Sequence, residues 1–540
     1  MFIVLSRGSS SSFSDDGTLL GQEPVDDPAA FAAAHPDARW VWDDTRRWYP
    51  QLLAAGVRVE RCIDLRLSHA ILRHSSLTAD SELARASAGP WDAAAEIRDE
   101  PSSPSEALFD LDDEEPRMEP DPVAEWMLQR ETVATSVDPA RLGLLLAAES
   151  AGALIAVEMK FAGLPLRGEV HEALLEDLLG LRPRYGERPA KLEALKQQLT
   201  TLLETEFNPD SPAELLKGLR RAGMQVESTS RWELRHIKHP VIEPLLEYKK
   251  LSRLMTANGW SWLETWVADG RFRPEYVPGG VVTGRWAASG GGALQLPKQI
   301  RGAVIADRGW KLVVADAAQL EPRVLAAMSG DSAMAEAGEG DMYEGIVASG
   351  AVATRAEAKV AMLGAMYGAT TGDSGRLVPA LAKAFPKAIA LVEQAARAGE
   401  RGEVVTTRLG RSSPLPGQQW QAQSSIDAAA ESRARSQSRS WGRFTRNFVV
   451  QGSAAEWALC WMASLRGKLW ERTDAALTTG PHLVFFLHDE VIVHTPEHLA
   501  EQVAADIREA AAQAGRLLFG SLPVTFPVTT AIVDNYGQAK

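Results

Sequence analysis

The fold is decided by two apolar stretches that each lead to an aspartate, Lys311-Leu-Val-Val-Ala-Asp316 and Leu483-Val-Phe-Phe-Leu-His488-Asp489-Glu490. Both predict buried strands, and Val491-Ile-Val493 predicts a strand that returns from the second. Two carboxylates at strand ends can hold a pair of Mg²⁺ ions, which clamp the attacking and leaving oxygens of a phosphoryl transfer about 3.5–4 Å apart. Acidic residues after strands are also common in structural roles, so the pair alone leaves both readings open.

A second pattern lies between the two aspartates, in Thr354-Arg-Ala-Glu-Ala-Lys-Val-Ala-Met-Leu-Gly-Ala-Met-Tyr-Gly368. This segment is rich in helix formers, and every fourth residue falls on one stripe that turns by only about 40° per step. The stripe consists of Arg355, Lys359, Leu363 and Tyr367. Two cations followed by an apolar platform suit a polyphosphate followed by a base. An amphipathic helix with solvated cations also explains the spacing.

Three motifs, in order along the chain, resemble those of the family A DNA polymerases. Asp316 to Arg323 is similar to the first palm motif, D-Y-S-Q-I-E-L-R, and Arg355 to Gly368 to the fingers-helix motif, R-x-x-x-K-x-x-x-[FY]-G-x-x-Y-G. His488-Asp489-Glu490 matches the H-D-E of the second palm motif. The resemblance spans residues 145–540. Further matches are Thr283-Gly-Arg285, Leu294-Gln-Leu-Pro297, Arg443, Asn447, Gln451-Gly452 and Asp534-Asn-Tyr536.

The resemblance implies an α+β multidomain fold. A ribonuclease H-like α/β domain of the 3'-5' exonuclease type would be followed by a right-hand polymerase. We expect the exonuclease-like domain at residues 1–85 plus part of 86–140, with an acidic loop or linker at about 86–122. The polymerase would divide into a helical thumb at 141–270, an antiparallel-sheet palm at 271–335 and 436–540, and helical fingers at 336–435.

The implied reaction is the template-directed addition of dNTPs to a primer 3'-hydroxyl with two Mg²⁺ ions, or Mn²⁺ in their place. Asp316, Asp489 and the main-chain carbonyl of Ala317 would hold the metals, and Glu490 would support the site. Arg355 and Lys359 would bind the triphosphate, with Lys359 placed to protonate the departing pyrophosphate. The remaining expected nucleotide contacts are Gln319, Glu321, Tyr343, Leu363 and Tyr367.

Primer-template DNA would be contacted by a separate set of residues. Arg285 and Gln451 would check the minor groove at the primer terminus, through acceptors that all base pairs share. Arg443 and Asn447 would contact the template strand, and His488 would lie near the primer terminus.

The predicted thumb carries a helix, His239-Pro-Val-Ile-Glu-Pro-Leu-Leu-Glu-Tyr-Lys-Lys-Leu-Ser-Arg253, with three cations. Its Lys249, Lys250 and Arg253 are candidate phosphate contacts, which position DNA without reading its sequence. A solvated helix face explains any one of these three cations nearly as well.

Glu321 bears on the choice of sugar. Its bulk and charge would lie where a ribose 2'-hydroxyl would go, so the expected substrate is a dNTP. This argues against a single-subunit RNA polymerase, which shares the palm but needs room for that hydroxyl. A non-catalytic DNA-binding scaffold is the other alternative. It would have no need for all five of Asp316, Asp489, Arg355, Lys359 and Glu321.

We expect the chemistry of the exonuclease-like domain to be lost. The family's nuclease holds its metals through D-x-E on the first strand and later aspartates. Here the first candidate strand is followed by Arg7-Gly-Ser-Ser-Ser-Ser-Phe-Ser-Asp-Asp16. A Y-x-x-x-D motif cannot occur between Tyr49 and Tyr185, because no tyrosine lies between them. His74 to Asp80 fits only a histidine variant of that motif, so we predict no proofreading.

Three departures from the family pattern predict altered performance. Leu363 replaces the aromatic residue that stacks on the incoming base, an interaction worth about 1–3 kcal/mol. Tyr343 stands where the family usually has a histidine near the phosphates. The segment after Gly368 is short, with the next helix expected near Arg376, so part of the fingers is trimmed. We expect low processivity and a role in repair or gap filling.

Length and charge agree with this outline. A chain of 540 residues is too long for one core. The net charge of −14 is uneven, because residues 1–140 carry 27 acidic and 12 basic side chains and the rest carry 44 and 45. Phosphates would repel the acidic front end, and its segment 106–125 is a candidate site for a protein partner. With two cysteines, no apolar run of membrane-spanning length and no basic leader, we expect a monomeric, cytoplasmic, nucleoid-associated protein.

Overall fold

The structure is a computed structural model that describes residues 1–93, 120–184, 186–290, 292, 296–369, 372–416, 428–473, 476–520 and 522–539. It forms two compact units. The first contains Met1–Ala162, Tyr276–Ala287 and Val313–Ala531, and the second contains Gly163–Glu275, Ala288–Leu312 and Ile532–Lys540. Most of the predicted acidic segment 106–125 lies outside the described residues.

The strands are, in chain order, β1 (Phe2–Ser6), β2 (Ser9–Phe13), β3 (Leu19–Pro24), β4 (Arg39–Trp42), β5 (Cys62–Asp64), β6 (Leu164–Pro165), β7 (Val267–Ala268), β8 (Arg271–Phe272), β9 (Glu275–Val277), β10 (Ala287–Gly290), β11 (Trp310–Ala317), β12 (His482–Leu487), β13 (Glu490–Pro496) and β14 (Val528–Val533).

The α-helices are α1 (Pro28–Ala34), α2 (Thr45–Ala54), α3 (Leu65–His74), α4 (Glu82–Arg85), α5 (Pro122–Ala134), α6 (Pro139–Ala162), α7 (Gly168–Leu179), α8 (Ala190–Leu203), α9 (Pro212–Arg221), α10 (Arg231–Leu234), α11 (Ile242–Asn258), α12 (Trp260–Trp266), α13 (Leu320–Ser329), α14 (Ser332–Ala337), α15 (Met342–Ala348), α16 (Arg355–Tyr367), α17 (Gly372–Ala384), α18 (Pro386–Glu400), α19 (Ala428–Trp470) and α20 (Ala500–Phe519).

The first unit begins with a five-stranded sheet in the order β3-β2-β1-β4-β5. Strands β1, β2 and β3 are antiparallel, whereas β4 and β5 run parallel to β1. Because parallel strands end at the same edge, Asp44 after β4 and Asp64 at the end of β5 lie on one side of the sheet. The core of this region is formed by Val4, Phe13, Val41, Leu65 and Trp126.

The polymerase-like part of the first unit is built on a four-stranded sheet in the order β12-β13-β11-β14. Strands β12 and β13 are antiparallel and are joined only by His488 and Asp489. Their side chains are almost all buried, as are Leu312 to Ala315 of β11. Both predicted strands and their aspartate ends are therefore confirmed. Helix α19 packs along α6, α18 and α20 of the same unit.

Helix α6 corrects the expectation that no apolar run reaches membrane-spanning length. Its 24 residues are long enough, and an 18-residue window within it reaches a mean hydropathy of 1.7. However, 67% of its most apolar window is buried inside the protein, which is typical of a core helix. The same helix also carries two buried glutamates, Glu149 and Glu158.

Glu158 joins the N-terminal sheet region to the helices of the polymerase-like part. Arg466 of α19 donates to it at 2.7 and 2.9 Å, and the hydroxyl of Tyr49 donates to it at 2.6 Å. Arg466 also donates to the carbonyls of Val59 and Glu60 at 2.5 and 2.7 Å. All three side chains are buried, so one charged network ties α2, α6 and α19 into a single unit.

The second unit contains α7 to α12 and the small sheet β6-β8-β7. Helix α11 buries one face through Ile242, Leu245, Tyr248, Leu251 and Leu254. The hydroxyl of Tyr248 donates to Asp210 at 3.0 Å, which ties α11 to the segment before α9.

Candidate active site

The two predicted metal-binding aspartates lie side by side at the end of the four-stranded sheet. The backbone amide of Ala317, next to Asp316, donates to the backbone carbonyl of Asp489 at 2.9 Å. Asp316 and Asp489 are half-buried, whereas Glu490 is buried. The structure thus brings the backbone of Asp489 against the end of the strand that carries Asp316, although the two aspartates are 173 positions apart in the sequence.

The backbone around these aspartates is strained. Among the residues that the structure describes, four non-glycine residues have a positive φ, and two of them, Gln319 and His488, flank the site. At His488, with φ +60°, the amide of Asp489 donates to the carbonyl of Leu487 at 2.8 Å. This pattern is a γ-turn of the rare positive-φ type. Such strain concentrates at functional sites, where the surrounding structure maintains it.

His488 is exposed at the tip of this turn. Partial burial of the ring and the positive charge of Arg285 lower the pKa of His488, although Glu321 acts in the opposite direction. The neutral imidazole is therefore favoured at the position where the sequence predicts the primer terminus.

Gln319 links the first aspartate strand to the next part of the site. Its side-chain amide donates to Asp341 at 2.6 Å, and its carbonyl oxygen accepts from the backbone of Met342 at 2.9 Å. Gln319 therefore fixes the start of α15 beside the end of β11. No nucleotide contact of Gln319 follows from this geometry, so that role stays a prediction.

Asp341 is a site residue that the sequence analysis missed. It caps α15 by accepting from the backbones of Tyr343 and Glu344 at 3.0 Å, and it accepts from Arg355 at 2.8 Å. Although partial burial would raise its pKa, the hydrogen bonds from Arg355, Glu344 and Gln319 bring the pKa of Asp341 to about 2. The available signal was the aspartate itself, because aspartate is favoured at the position just before a helix begins.

Arg323 is the second residue whose role was missed, although it is the last letter of the first palm motif. It is fully buried and donates to four backbone carbonyls. The acceptors are Ala318 at 2.9 Å, Gly338 at 2.6 Å, Gly340 at 2.6 Å and Thr525 at 3.1 Å. Arg323 therefore ties together the loops that follow β11 and precede α15 and β14.

Helix α16 has the predicted bounds and the predicted stripe. A capping box between Thr354 and Glu357 starts it, and Gly368, with φ +73°, ends it. The stripe residues are exposed, with Leu363 at 38% and Tyr367 at 41%, while the opposite side is buried. The buried side consists of Ala358, Ala361, Met362, Ala365 and Met366. Arg355 also lies 5.3 Å above the ring of Tyr343, which is buried.

Glu321 and three other predicted site residues lie together in one cluster. Its carboxylate forms an ion pair with Arg285 and accepts from the hydroxyl of Tyr367 at 3.1 Å. Gln451 of α19 also hydrogen-bonds the Tyr367 side chain. Residues from the Thr283-Gly-Arg285 segment, α13, α16 and α19 are therefore brought together at one point.

Helix α19 presents the predicted template contacts and also supports α16. Arg443 is exposed and Asn447 is half-buried. A Cβ atom on Gly368 would lie 2.9 Å from Cγ of Arg443, so the end of α16 approaches α19 closely. Arg446, which the sequence analysis did not select, donates to the carbonyl of Ala365 at 2.7 Å and pairs with Glu393.

The predicted start of the helix after Gly368 is wrong, and parts of two predicted segments lie outside the described residues. Helix α17 begins at Gly372, not near Arg376. Its first turn packs closely on α16, where a Cβ on Gly364 would lie 2.6 Å from Cβ of Ser374. Residues 370–371, and Leu294 and Gln295 of a supporting motif, lie outside the described residues.

The predicted thumb lysines have partners inside the second unit. Lys249 is half-buried and donates to the hydroxyl of Thr229 at 3.0 Å, and burial lowers the pKa of Lys249. Lys250 pairs with Glu247 at 3.2 Å. Their contacts with DNA stay predictions.

Known proteins with similar sequences agree with this arrangement. The chain is 26% identical over 363 residues to the thermostable DNA polymerase I of Thermus filiformis, covering 59% of this chain and 41% of that protein. It is 26% identical over 369 residues to DNA polymerase I of Chloroflexus aurantiacus, covering 62% and 36%. It is 25% identical over 425 residues to DNA polymerase I of Pseudomonas aeruginosa, covering 71% and 44%. The matches thus span less than half the length of these relatives.

A solved structure and a family model complete the comparison. The POL domain of Pol1 from M. smegmatis, in complex with DNA primer-template and dNTP, matches 98% of this chain and 93% of its own. The TM-score is 0.67 at 17% sequence identity, so the two share a fold of mixed helix and sheet. The model of DNA polymerase family A matches residues 183–538, which contain both aspartates, α16 and the Glu321 cluster. The chain therefore belongs to DNA polymerase family A.

Proposed function

We propose that this chain is a template-directed DNA polymerase that extends a primer 3'-hydroxyl with dNTPs, using two divalent metal ions. The observation that carries the proposal is the convergence of Asp316 and Asp489 with an exposed cationic helix and the Arg285–Glu321–Tyr367 cluster. In this proposal the thumb is residues 141–270, the palm 271–335 and 436–540, and the fingers 336–435.

The donor set at the strand ends fits Mg²⁺. Asp316, Asp489 and the carbonyl of Ala317 offer oxygen ligands, and Mg²⁺ is usually held by one or two carboxylates plus substrate phosphates. Bound ions would activate the 3'-hydroxyl and neutralise the leaving pyrophosphate. Mn²⁺ suits the same oxygen ligands.

Arg355 and Lys359 would receive the triphosphate. Arg355 is exposed and held by Asp341, whose low pKa keeps it ionised at neutral pH. A nucleotide phosphate would therefore compete with Asp341 for Arg355, and Asp341 would hold the arginine in place before the nucleotide arrives. Lys359, one turn further and also exposed, would protonate the departing pyrophosphate.

Glu321 would select the sugar, and its neighbours would test the base pair. It is fixed by Arg285 and Tyr367, so its side chain has little freedom to move aside for a 2'-hydroxyl. Arg285 and Gln451, both attached to this cluster, would contact minor-groove acceptors that all base pairs share. Leu363 would lie under the incoming base.

The N-terminal region would be a ribonuclease H-like domain without proofreading. Its sheet has three antiparallel strands followed by two parallel ones, in agreement with that fold. However, Asp43 pairs with Arg47, Asp44 caps α2, and Asp64 caps α3. Carboxylates with these partners are engaged in holding the domain together. A polymerase of this kind would serve repair or gap filling.

Primer extension with Mg²⁺ and either dNTPs or NTPs tests the proposal, with Asp489→Ala as the control. We expect dNTP-dependent extension by the wild type alone. No extension would favour a DNA-binding scaffold, and extension with NTPs would favour an RNA polymerase-like enzyme.

A second assay addresses proofreading. A 3'-labelled primer incubated with metal but without nucleotides should stay intact. Metal-dependent shortening that persists in Asp316→Ala would contradict the loss of exonuclease activity.

A further inference from the structure

A buried ion pair lies beneath the segment that carries Arg285. Glu149 of α6 is only 1% exposed and pairs with Arg411, whose side chain is 13% exposed. Neither residue belongs to the site described above. A buried ion pair usually adds little net stability compared with apolar side chains of similar volume. The pair therefore calls for an explanation other than stability.

Arg411 lies in a tight turn that leaves it little freedom. The amide of Thr407 donates to the carbonyl of Arg411 at 2.9 Å, and the amide of Arg411 donates to the hydroxyl of Thr407 at 2.9 Å. Glu456 of α19, also buried, accepts from the amide of Leu409 at 2.8 Å and from the hydroxyl of Thr407. The turn is thus fixed to α19, and Arg411 to α6.

The guanidinium of Arg411 packs directly against Gly284. A Cβ atom at that position would lie 2.5 Å from Nε of Arg411, and Gly284 has φ +82°. Both facts require glycine there. The amide of Gly284 donates to the carbonyl of Val281 at 2.7 Å, which closes the turn just before Arg285.

The base and the tip of this segment are held differently. At the base, the hydroxyl of Tyr276 exchanges hydrogen bonds of 2.7 and 3.0 Å with the backbone of Phe486, and Trp286 packs edge-on against the Phe486 ring. At the tip, Val281 and Val282 are exposed, so apolar packing does not anchor them. The tip is held instead by close backbone contacts, with Arg411 at Gly284 and with α19 at Thr283, whose carbonyl would lie 3.1 Å from a Cβ on Gly452.

We propose that Glu149 and Arg411 are positioning residues for polymerisation, because they hold the Gly284 turn and so aim Arg285 at Glu321 and the primer terminus. The inference rests on the proposed function and extends it to two residues that touch neither DNA nor nucleotide. Misplacing Arg285 by a fraction of an ångström would slow incorporation and weaken the rejection of mismatched primer ends.

The test is a double-mutant cycle between Glu149→Gln and Arg285→Ala, measured by single-nucleotide incorporation. We expect Glu149→Gln to lower kcat about tenfold, since misplacement from a remote change can cost up to about 100-fold. In the Arg285→Ala background the same change should cost less than about twofold, because coupled residues are non-additive. Extension from a mismatched primer end should rise relative to a matched one in Glu149→Gln but not in the double variant.

Glu158→Gln is the matched control. Glu158 lies on the same helix, is buried and pairs with an arginine, but its hydrogen-bond partners, Arg466 and Tyr49, lie outside the segment 276–287. It should lower Tm without lowering kcat, measured at a fixed interval below the Tm of each variant. Arg411→Lys provides a second probe if Glu149→Gln does not fold. It keeps the charge and loses the flat guanidinium surface. Its loss of kcat should likewise be smaller in the Arg285→Ala background.

Fully multiplicative effects of Glu149→Gln and Arg285→Ala, or an equal loss in Glu158→Gln, would overturn the positioning role and leave the proposed function intact. A wild type that does not extend primers would overturn both.

Discussion

The molecule places aspartates after strands in two regions, and the two regions treat them in opposite ways. At the edge of the N-terminal sheet, Asp64 accepts from the backbones of Thr45 and Leu67 at 2.8 and 3.0 Å and from the hydroxyl of Thr45 at 2.7 Å. At the edge of the polymerase-like sheet, Asp316 and Asp489 are half-buried beside strained backbone and an exposed cationic helix. The aspartates of the first edge are buried, and those of the second are partly exposed.

This difference shows that the position of an aspartate after a strand does not reveal its role. The surroundings decide it. Carboxylates that cap helices stabilise the fold and are engaged with their own chain, whereas partly exposed carboxylates beside cations can bind a charged substrate. Burial, with the charge of Asp44, raises the pKa of Asp64, although three hydrogen bonds oppose this.

The largest expected difference comes from making the same substitution, Asp→Asn, at each of the two sheet edges. Asp489→Asn should reduce primer extension by about 1,000-fold or more, because metal-based charge stabilisation contributes several kcal/mol. Asp64→Asn should leave extension per folded molecule unchanged and destabilise the protein by about 2 kcal/mol, because the amide nitrogen cannot accept the two hydrogen bonds that Thr45 donates to the carboxylate. Steady-state extension and thermal unfolding of both variants check this.

The comparison would fail if Asp64→Asn abolished extension at a temperature where the variant remains folded. It would also fail if Asp489→Asn retained more than a few per cent of the wild-type rate.

The second effect concerns Glu321, which is bound to its own chain like Asp64 but lies at the edge of the polymerase-like sheet. Glu321→Ala should raise the use of NTPs relative to dNTPs by roughly 100-fold, the scale on which pocket shape rejects one hydroxyl. Glu321→Gln keeps the bulk and loses the charge, so it should preserve most of the discrimination. The ratio of kcat/KM for NTP to kcat/KM for dNTP measures this discrimination. If Glu321→Gln raised the ratio as much as Glu321→Ala, the selection would be assigned to the charge of Glu321 and not to its bulk.

A third, smaller effect tests the exposed stripe of α16. Leu363→Phe should lower the KM for dNTP about tenfold, since stacking of a base on an aromatic ring is worth about 1–3 kcal/mol. Val360→Phe is the matched control, because Val360 is also 38% exposed on α16 but lies off the stripe. A similar gain in both variants would show that general apolar contact, and not stacking beneath the base, is responsible.

Much of this arrangement could be predicted from the sequence. The apolar runs predict β11, β12 and β13, and the four-residue spacing predicts the exposed stripe of α16. These elements are set by local periodicity, which is visible in one chain. The sequence could not show that Glu321 joins Arg285 and Tyr367, because that contact depends on how three distant segments meet.

The missed residues are charged side chains that are buried or bonded to backbone. Glu149 and Glu158 interrupt a nearly continuous apolar helix, and such charges are almost never buried without a partner. That signal was present, but the partners, Arg411 and Arg466, lie 262 and 308 residues away in the chain. Arg323 was missed because its acceptors are carbonyls, which no side-chain pattern reports.

The smallest predicted effect concerns Glu456, a buried carboxylate of the polymerase-like part that is hydrogen-bonded to its own chain. Burial raises the pKa of Glu456 from 4.5 to about 7, although hydrogen bonds from Thr407 and Leu409 act against this. Between these two pKa values the folded chain binds more protons than the unfolded chain, so the free energy of unfolding falls as pH rises. The loss from pH 6 to pH 8 should be about 1 kcal/mol.

Glu456→Gln removes this titration. The Tm of the variant minus the Tm of the wild type should therefore increase by about 2 °C between pH 6 and pH 8. Asp64, whose pKa is also raised, titrates in both proteins and cancels in the difference. A constant or reversed Tm difference would mean that Glu456 is ionised in the fold at both pH values. In that case the turn of Thr407 to Arg411 would be held by a charged carboxylate, and Glu456 would resemble the paired Glu149 on α6.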